Sequence, residues 1–571
     1  MSIVVLLLCV IILTGFEAEA LSYDYSSSVE CLAHPEKPLY NGGIIQNPQL
    51  NDGLQGWTTF GEAKIEHRES LGNKFVVAHS RKQPYDSVSQ KIFLRKGLHY
   101  TLSAWIRTTE ENVAVTAVVK TSKAYKFGGA IYAHSNCWSM LKGGLIADTT
   151  EEAQLYFESN NTSVEIWIDN ISLQPFTKKQ WMSHQRQSIE KARKRKVAFQ
   201  AVDEQGNPLS NASISVTLNR GGFPFGCSMN KNILNNKGYQ DWFTSRFTVT
   251  TFENEMKWYT NEYEQGKDNY YEADGMLQFA KNHNIHVRGH NIIWDDPQYQ
   301  PKFVYSLPQN QLYPAVNKRV NSIVQRYKGQ VIGWDVVNEN LHFSYFENKL
   351  GNDFTPKVFT QVHDIDPKTT LFLNEYNTIE DSRDGASTPP KYIQKIKEIQ
   401  NYNKNIPLGI GLEAHFPNGS PNLPYMRASI DALAATGLPI WITEIDVEKQ
   451  NNQAGYYEQV LREAHSHPKV NGIVTWTGWN PQGCYKMCLV DNNFKNLPGG
   501  DVVDKLLREW GNRKLTLTTD QNGLFETSLF HGDYELEITH PTKKNYSLTH
   551  KVQVHSNDES KATRQLIQLS I

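Results

Sequence analysis

The chain has 571 residues, 39% hydrophobic and 21% charged, with a formal net charge of −2. That length exceeds one ordinary domain and predicts about two to four, so a multidomain protein is expected. The balance excludes wholesale disorder, and the near-neutral charge offers no electrostatic footprint for nucleic acid.

The opening stretch, MSIVVLLLCVIILTGFEAEA (1–20), reads as a signal peptide. Its apolar run is too short to span a bilayer, and Ala18-Glu19-Ala20 fits a small-residue cleavage site. No Lys or Arg precedes the run, so an uncleaved anchor stays open as the alternative. No later stretch approaches membrane-helix length. The expected location is therefore extracellular or cell wall, with no membrane contact after signal removal. Cys9 leaves with the signal. Of Cys31, Cys137, Cys227, Cys484 and Cys488, the expected pairs are Cys31–Cys137 and Cys484–Cys488, with Cys227 free and buried. Asn160, Asn161, Asn170, Asn211, Asn418 and Asn545 head N-x-S/T triplets and are glycosylation candidates.

Residues 31–176 alternate apolar and polar positions in runs such as KFVVAHS, LHYTLSAWIRT and SVEIWIDNISLQPF, broken by turn residues. This spacing predicts a β-sandwich of jelly-roll type. Trp57 and Trp138 could stack on sugar there, but core packing is the favoured role. Residues 177–195 read as a basic linker helix, solvated rather than nucleic-acid-binding. Residues 196–220 read as strand, Asp-x-x-Gly turn, strand. Residues 512–571 are again β-rich. Neither piece buries a core alone. They are expected to pair into one small split β-domain, with 221–511 inserted between them. The runs DEQGNPL, ASISV and TDQNGLF in these pieces resemble the transthyretin-like, carboxypeptidase-regulatory β-domains.

The insert alternates strand and helix. FPFGCSMN, FTVTTFENE, IHVRGHNIIW, VIGWDVVNE, TLFLNEYN, GIGLEAHF, PIWITEIDV and GIVTWTGW are eight strands. Amphipathic runs such as QLYPAVNKRVNSIVQRYKG lie between them, and Gly437 is placed as a helix C′ residue. Eight βα units predict a (β/α)8 TIM barrel; a doubly wound open sheet is the alternative. Nearly every strand turns polar at its C-terminal end, and in a barrel those ends converge on one face. Carboxylates, amides, Lys257, His290, His415 and tryptophans would meet there. His290, His415 and Asp446 could imitate a metal set, but no H-E-x-x-H spacing supports one, so neither metal nor cofactor is expected. Paired carboxylates in an aromatic cleft suit acetal cleavage, with retention at a separation of about 5–5.5 Å and inversion at about 6.5–9.5 Å.

WDVVNE and ITEIDV resemble the acid/base and nucleophile motifs of glycoside hydrolase family 10, the endo-1,4-β-xylanases. TFENEMKW, VRGHNIIW, LNEYN, GIGLEAHF and IVTWTGWNPQGCYKMCLVDNNF match further blocks in order, and WDDPQYQP is similar to the plant-type branch. The N-terminal sandwich resembles a family 22 carbohydrate-binding module. The resemblance implies Glu339 as general acid/base and Glu444 as nucleophile, with the Glu339 pKa raised to roughly 6–7 by burial and the neighbouring carboxylate. It implies Asn338 on the sugar 2-OH, His415 bonded to the nucleophile, Asp446 orienting His415, and Tyr376 near the reaction centre. Glu253, Asn254, Lys257, His290 and Trp294 match glycone-side contacts, and Trp476 a stacking platform; Glu413 joins the substrate-binding set.

Three positions depart from the family pattern. Glu413 stands where many relatives carry Gln, and adds a third charge if it ionises; Glu413→Gln should then extend activity to lower pH. Asp295 follows Trp294, and Trp479 lies unusually close to Trp476. The implied activity is retaining hydrolysis of xylan or another cell-wall polysaccharide. A xylan endotransglycosylase, a β-1,4-glucanase and a non-catalytic wall polysaccharide-binding protein are the alternatives.

Overall fold

The computed structural model describes residues 21–511, 514–543, 546–556 and 564–571. The signal segment, Cys9 and Asn545 lie outside the described residues. No helix among them is long and apolar enough to cross a membrane.

The N-terminal module is a sandwich of two five-stranded antiparallel sheets. One sheet orders Thr58–Phe60, Ser87–Leu94, Glu151–Glu158, Val113–Lys120 and Tyr125–Ala133. The other orders Lys64–Ser70, Asn73–His79, Ile166–Phe176, His99–Thr108 and Ser139–Ile146. Alternation puts Val115, Ala117, Leu155 and Phe157 opposite Val76, Leu102, Ala104 and Ile166 in the shared core. Outside the second sheet, Phe75, Trp105, Trp138 and Met140 form a further apolar layer, covered by Leu32 and Leu39. The Cys31–Cys137 disulfide pins that cover down. Trp57 and Trp138 are both buried, so neither is a sugar platform. Asn170 is also corrected: it sits in a bulge of the core strand, only 8% exposed, which leaves no room for a glycan. Asn160, Asn211 and Asn418 are exposed and Asn161 partly so.

The helix after the sandwich, Lys178–Ala192, starts from a Thr177–Gln180 capping box. It is not a solvated linker. Trp181 and Gln185 donate to Glu463 Oε2 at 2.8 Å each, and Ser188 donates to the Ser466 carbonyl at 2.6 Å. Its basic outer face masked this buried one. The small β-domain follows: Lys194–Val202 pairs antiparallel with Leu524–Phe530 and parallel with Arg564–Ser570. Ser213–Gly221 pairs with Leu515–Thr518 and Gly532–Thr539. Phe199, Val216, Leu536, Ile538 and Leu569 fill the space between these sheets.

Between the two halves stands the barrel. Its parallel strands are Phe225–Met229, Val249–Phe252, His286–Gly289, Gly333–Asp335, Thr370–Glu375, Leu408–Leu412, Ile440–Val447 and Val470–Thr475, numbered one to eight below. Each pairs with the next, and strand one pairs with strand eight through Phe225 and Ile473, which closes the cylinder. Inside its lower end, Arg288 lies over the Phe372 ring at 4.7 Å and pairs with Asp335 at 2.7 Å. Gly333 and Gly409 make room for Phe372, since a Cβ on either would meet the ring at 2.4 or 2.5 Å. Gly437 (φ +76°) stands two residues beyond the Ala435 cap of its helix, one later than expected.

The sandwich is fastened to the barrel. Lys142 Nζ lies 2.7 Å from Asp431 with both side chains buried, and Asn422 donates to the Gly144 carbonyl at 3.1 Å. Gly144 has no space for a side chain against Pro424, whose Cβ a methyl would meet at 2.5 Å.

Candidate active site

The C-terminal strand ends open into a cleft of about 1480 Å3. Glu253, Asn254, Lys257, His290, Trp294, Asn338, Glu339, Tyr376, Glu413, His415, Glu444 and Trp476 all line it. Asp446 stands behind His415, fully buried. Two other positions of interest fall elsewhere. Asp295 is buried and accepts the Phe346 N–H at 3.0 Å. Trp479 packs on Tyr239 and Phe494.

Glu339 terminates its strand at φ +57°, in the left-handed region. That costs a glutamate about 1–3 kcal/mol unless the surroundings hold it there. Here its N–H donates to the Asn374 carbonyl at 3.0 Å and its own carbonyl accepts from Phe343 N–H at 3.0 Å. The kink turns the carboxyl into the cleft. Burial between the cleft walls, then the charge of Glu375, raise its pKa to about 8; Glu444 adds to this and Lys257 opposes it.

Glu444 lies within strand seven under opposite influences. Burial disfavours its ionisation, yet His290, His415 and Lys257 outweigh burial and hold the carboxyl down at about 2. His415 Nε2 lies 3.5 Å from Glu444 Oε2, and His415 Nδ1 donates to Asp446 Oδ1 at 2.8 Å. Burial would lower His415, but Asp446 and Glu444 raise it to about 10. Burial raises Asp446 as well, with His415 opposing. We take the imidazolium–carboxylate pair as the operative state, because the adjacent Glu444 anion favours a charged ring. Lys257 is pulled down by burial and held up by Glu444 and Glu339; its ammonium sits 4.4 Å from the Trp294 ring centre.

Asn374 ties these groups together, though only its neighbour Tyr376 stood among the expected site residues. Its Nδ2 lies 3.0 Å from Asn338 Oδ1, from Glu413 Oε1 and from Glu444 Oε1, while Thr443 donates to its Oδ1 at 2.6 Å. Three oxygens crowd an amide that has two hydrogens. A proton on Glu413 supplies the missing donor. Burial, then Glu444 and Glu339, push Glu413 well above the usual carboxylate value, which disfavours the third charge considered from sequence. Among the described residues, Glu413, His415 and Glu444 also form the one group whose donor atoms, within 4.8 Å of one another, could hold a metal. Those atoms are engaged in the network just described.

The walls are aromatic. Trp294 stacks on Tyr299 at 4.0 Å, and Tyr376 on His342 at 3.8 Å. His342 bridges Glu375 (2.5 Å) and Asp384 (2.9 Å). Tyr485, 68% exposed, lines the cleft from the loop closed by Cys484–Cys488. The sequence reading passed over Tyr299, His342 and Tyr485. The four-residue spacing of Cys484 and Cys488 was the available signal for the last. Acids of opposed protonation, donors for hydroxyls and flat ring faces together suit proton-assisted cleavage of a bond between sugars.

A profile for Glycosyl hydrolase family 10 matches residues 213–499, and one for a carbohydrate binding domain matches 42–163. Endo-1,4-beta-xylanase 5 of Arabidopsis thaliana is 39% identical over 96% of this chain and 95% of its own. Endo-1,4-beta-xylanase 4 of the same plant is 37% identical over 95% of this chain and 93% of its own. The solved structure of xylanase 10B from Thermotoga petrophila RKU-1 aligns at 23% identity and a TM-score of 0.44, over 50% of this chain and 94% of its own. A barrel whose polar strand ends meet in one cleft, a profile that spans that barrel and relatives matched almost end to end lead to one assignment: the chain belongs to glycosyl hydrolase family 10.

Proposed function

We propose that the protein is a secreted, retaining endo-1,4-β-xylanase of the cell wall. The observation that carries this reading is the opposed protonation of two carboxyls on one barrel face: Glu339 raised to about 8 and Glu444 lowered to about 2. At neutral pH one is an acid and the other an anion. Glu444 attacks the anomeric carbon as Glu339 protonates the departing glycosidic oxygen, leaving a glycosyl ester on Glu444. The ester is neutral, so its repulsion of Glu339 falls. Glu339, now ionised, takes a proton from water; the resulting hydroxide attacks the anomeric carbon and releases Glu444. Asn374 fixes the Asn338 amide so that Nδ2 is its donor end, suited to the sugar 2-OH. His415 and Asp446 hold the nucleophile. The open cleft with aromatic walls fits binding inside a polymer rather than at its end. The two disulfides support an oxidising compartment.

The test is product analysis on xylan. Wild type should release xylo-oligosaccharides, with proton NMR of the first product giving the β-anomer. Glu339→Ala should lose roughly 10²–10⁴-fold in rate, and Glu444→Ala should lose turnover altogether. An α-anomer first, or variants matching wild type, overturns the reading.

A further inference from the structure

A second groove, of about 1110 Å3, runs where the sandwich meets the barrel. One wall is the start of the strand Tyr125–Ala133, with Asp148 beside it. The other wall comes from the loops after strands five and six, residues 380–383 and 416–422. Pro417 lines this groove and the catalytic cleft alike, so the two adjoin at that residue.

The groove opens from a definite side of the cleft. Its barrel loops follow strands five and six, beside strand four, which Glu339 follows. Glu253 and Lys257 stand across the cleft, after strand two. Glu339 protonates the departing oxygen in the reading above, so the groove lies on the leaving-group side.

Its chemistry suits a neutral polymer. Lys126 is paired with Asp148, and Arg383 with Asp381 at 2.7 Å, while the carboxyl of Glu380 is taken up by the Ile379 and His415 N–H groups. Asn418 and Ser420 add uncharged hydrogen-bonding groups. Tyr125 is 53% exposed and offers a flat ring, the surface on which a pyranose face stacks. The geometry is also preset. The buried Lys142–Asp431 pair and the Gly144–Pro424 contact fix the sandwich against the barrel, so little ordering is left to binding.

We propose that this groove carries the leaving-group end of a long xylan chain. The N-terminal sandwich then contributes part of the enzyme's own substrate track, rather than acting as a separate tethered binder. The inference rests on the xylan-cleaving reading.

Tyr125→Ala and Arg383→Ala each alter one exposed wall and leave the catalytic groups untouched. Because Asn418 heads an acceptor triplet in the barrel wall, all proteins are compared after removal of N-glycans. Two soluble substrates are used: an aryl β-xylobioside, whose leaving group ends beside Glu339, and long end-labelled xylo-oligosaccharides. Each variant should keep wild-type kcat/KM on the aryl substrate and lose about three- to tenfold on the long chains. The position of the cut along the labelled chain should shift as well. Wild-type values on both substrates overturn the groove while the xylanase reading stands. A wild-type protein inert on both substrates overturns the xylanase reading and the groove with it.

Discussion

Glu413→Gln separates two electrostatic descriptions of the site. The oxygens of Glu413 and Glu444 lie within 4.8 Å of each other. Were both carboxylates ionised, their repulsion at an effective dielectric of about 20 would be about 3.5 kcal/mol, or roughly 2.5 pH units on Glu444. Removing that charge would carry the acidic limb of the pH profile down by the same amount. Burial and the charges of Glu444 and Glu339 instead favour the protonated form of Glu413. Glutamine has its shape and neutrality, accepts from Asn374 through Oε1 and donates where the carboxylic O–H did. The acidic limb should therefore stay within about half a pH unit of wild type, against that calculated shift of about 2.5. The assay is kcat/KM on an aryl β-xylobioside against pH, which reports the free enzyme's ionisations. An acidic limb displaced downward by two units or more would refute the protonated assignment.

Glu375 is the charge that raises Glu339 most, so Glu375→Gln should move the alkaline limb to lower pH by on the order of one unit. The sign follows because that limb falls as Glu339 loses its proton; an unmoved limb would remove Glu375 from the account. His342 should respond in the same variant. Burial lowers its pKa, but Glu375 and Asp384 lift it to about 9, and NMR titration should find the ring losing its proton earlier. Glu463→Gln strands the Arg427 guanidinium, fully buried over the Trp181 ring at 3.9 Å. Urea unfolding should register a loss of about 3–5 kcal/mol; a loss below about 1 kcal/mol would mean that the pair is not what anchors the helix.

The barrel was legible because each strand carries two signals at once, an apolar body and a polar end. The catalytic carboxyls were legible for the same reason. Four sandwich strands were not, and one of them, Thr58–Phe60, is only three residues long. Lys64–Ser70 is polar but for Ile65 because it lies at a sheet edge. Tyr125–Ala133 and Ser139–Ile146 are interrupted by glycine pairs, which erase the alternation. Those glycines exist because the two strands, from different sheets, cross in close contact: a Cβ on Gly143 would strike the Gly128 carbonyl at 1.9 Å. The protonation of Glu413 was illegible for a further reason. It depends on how many acceptors surround one amide of Asn374, and sequence spacing does not count neighbours in space.

The divided β-domain has a consequence in time. Lys194–Val202 and Ser213–Gly221 leave the ribosome roughly 290 residues before the first of their partners, Leu515–Thr518. At about 5–20 residues per second, roughly 15–60 s pass with two strand edges unpaired. During that wait the nascent chain exposes Phe199, Val216 and their neighbours, which only the last segment will cover. The segment from Leu515 onward thus acts as a closing clasp, and a chain truncated before it would hold a barrel with a sticky, half-built sheet at its base.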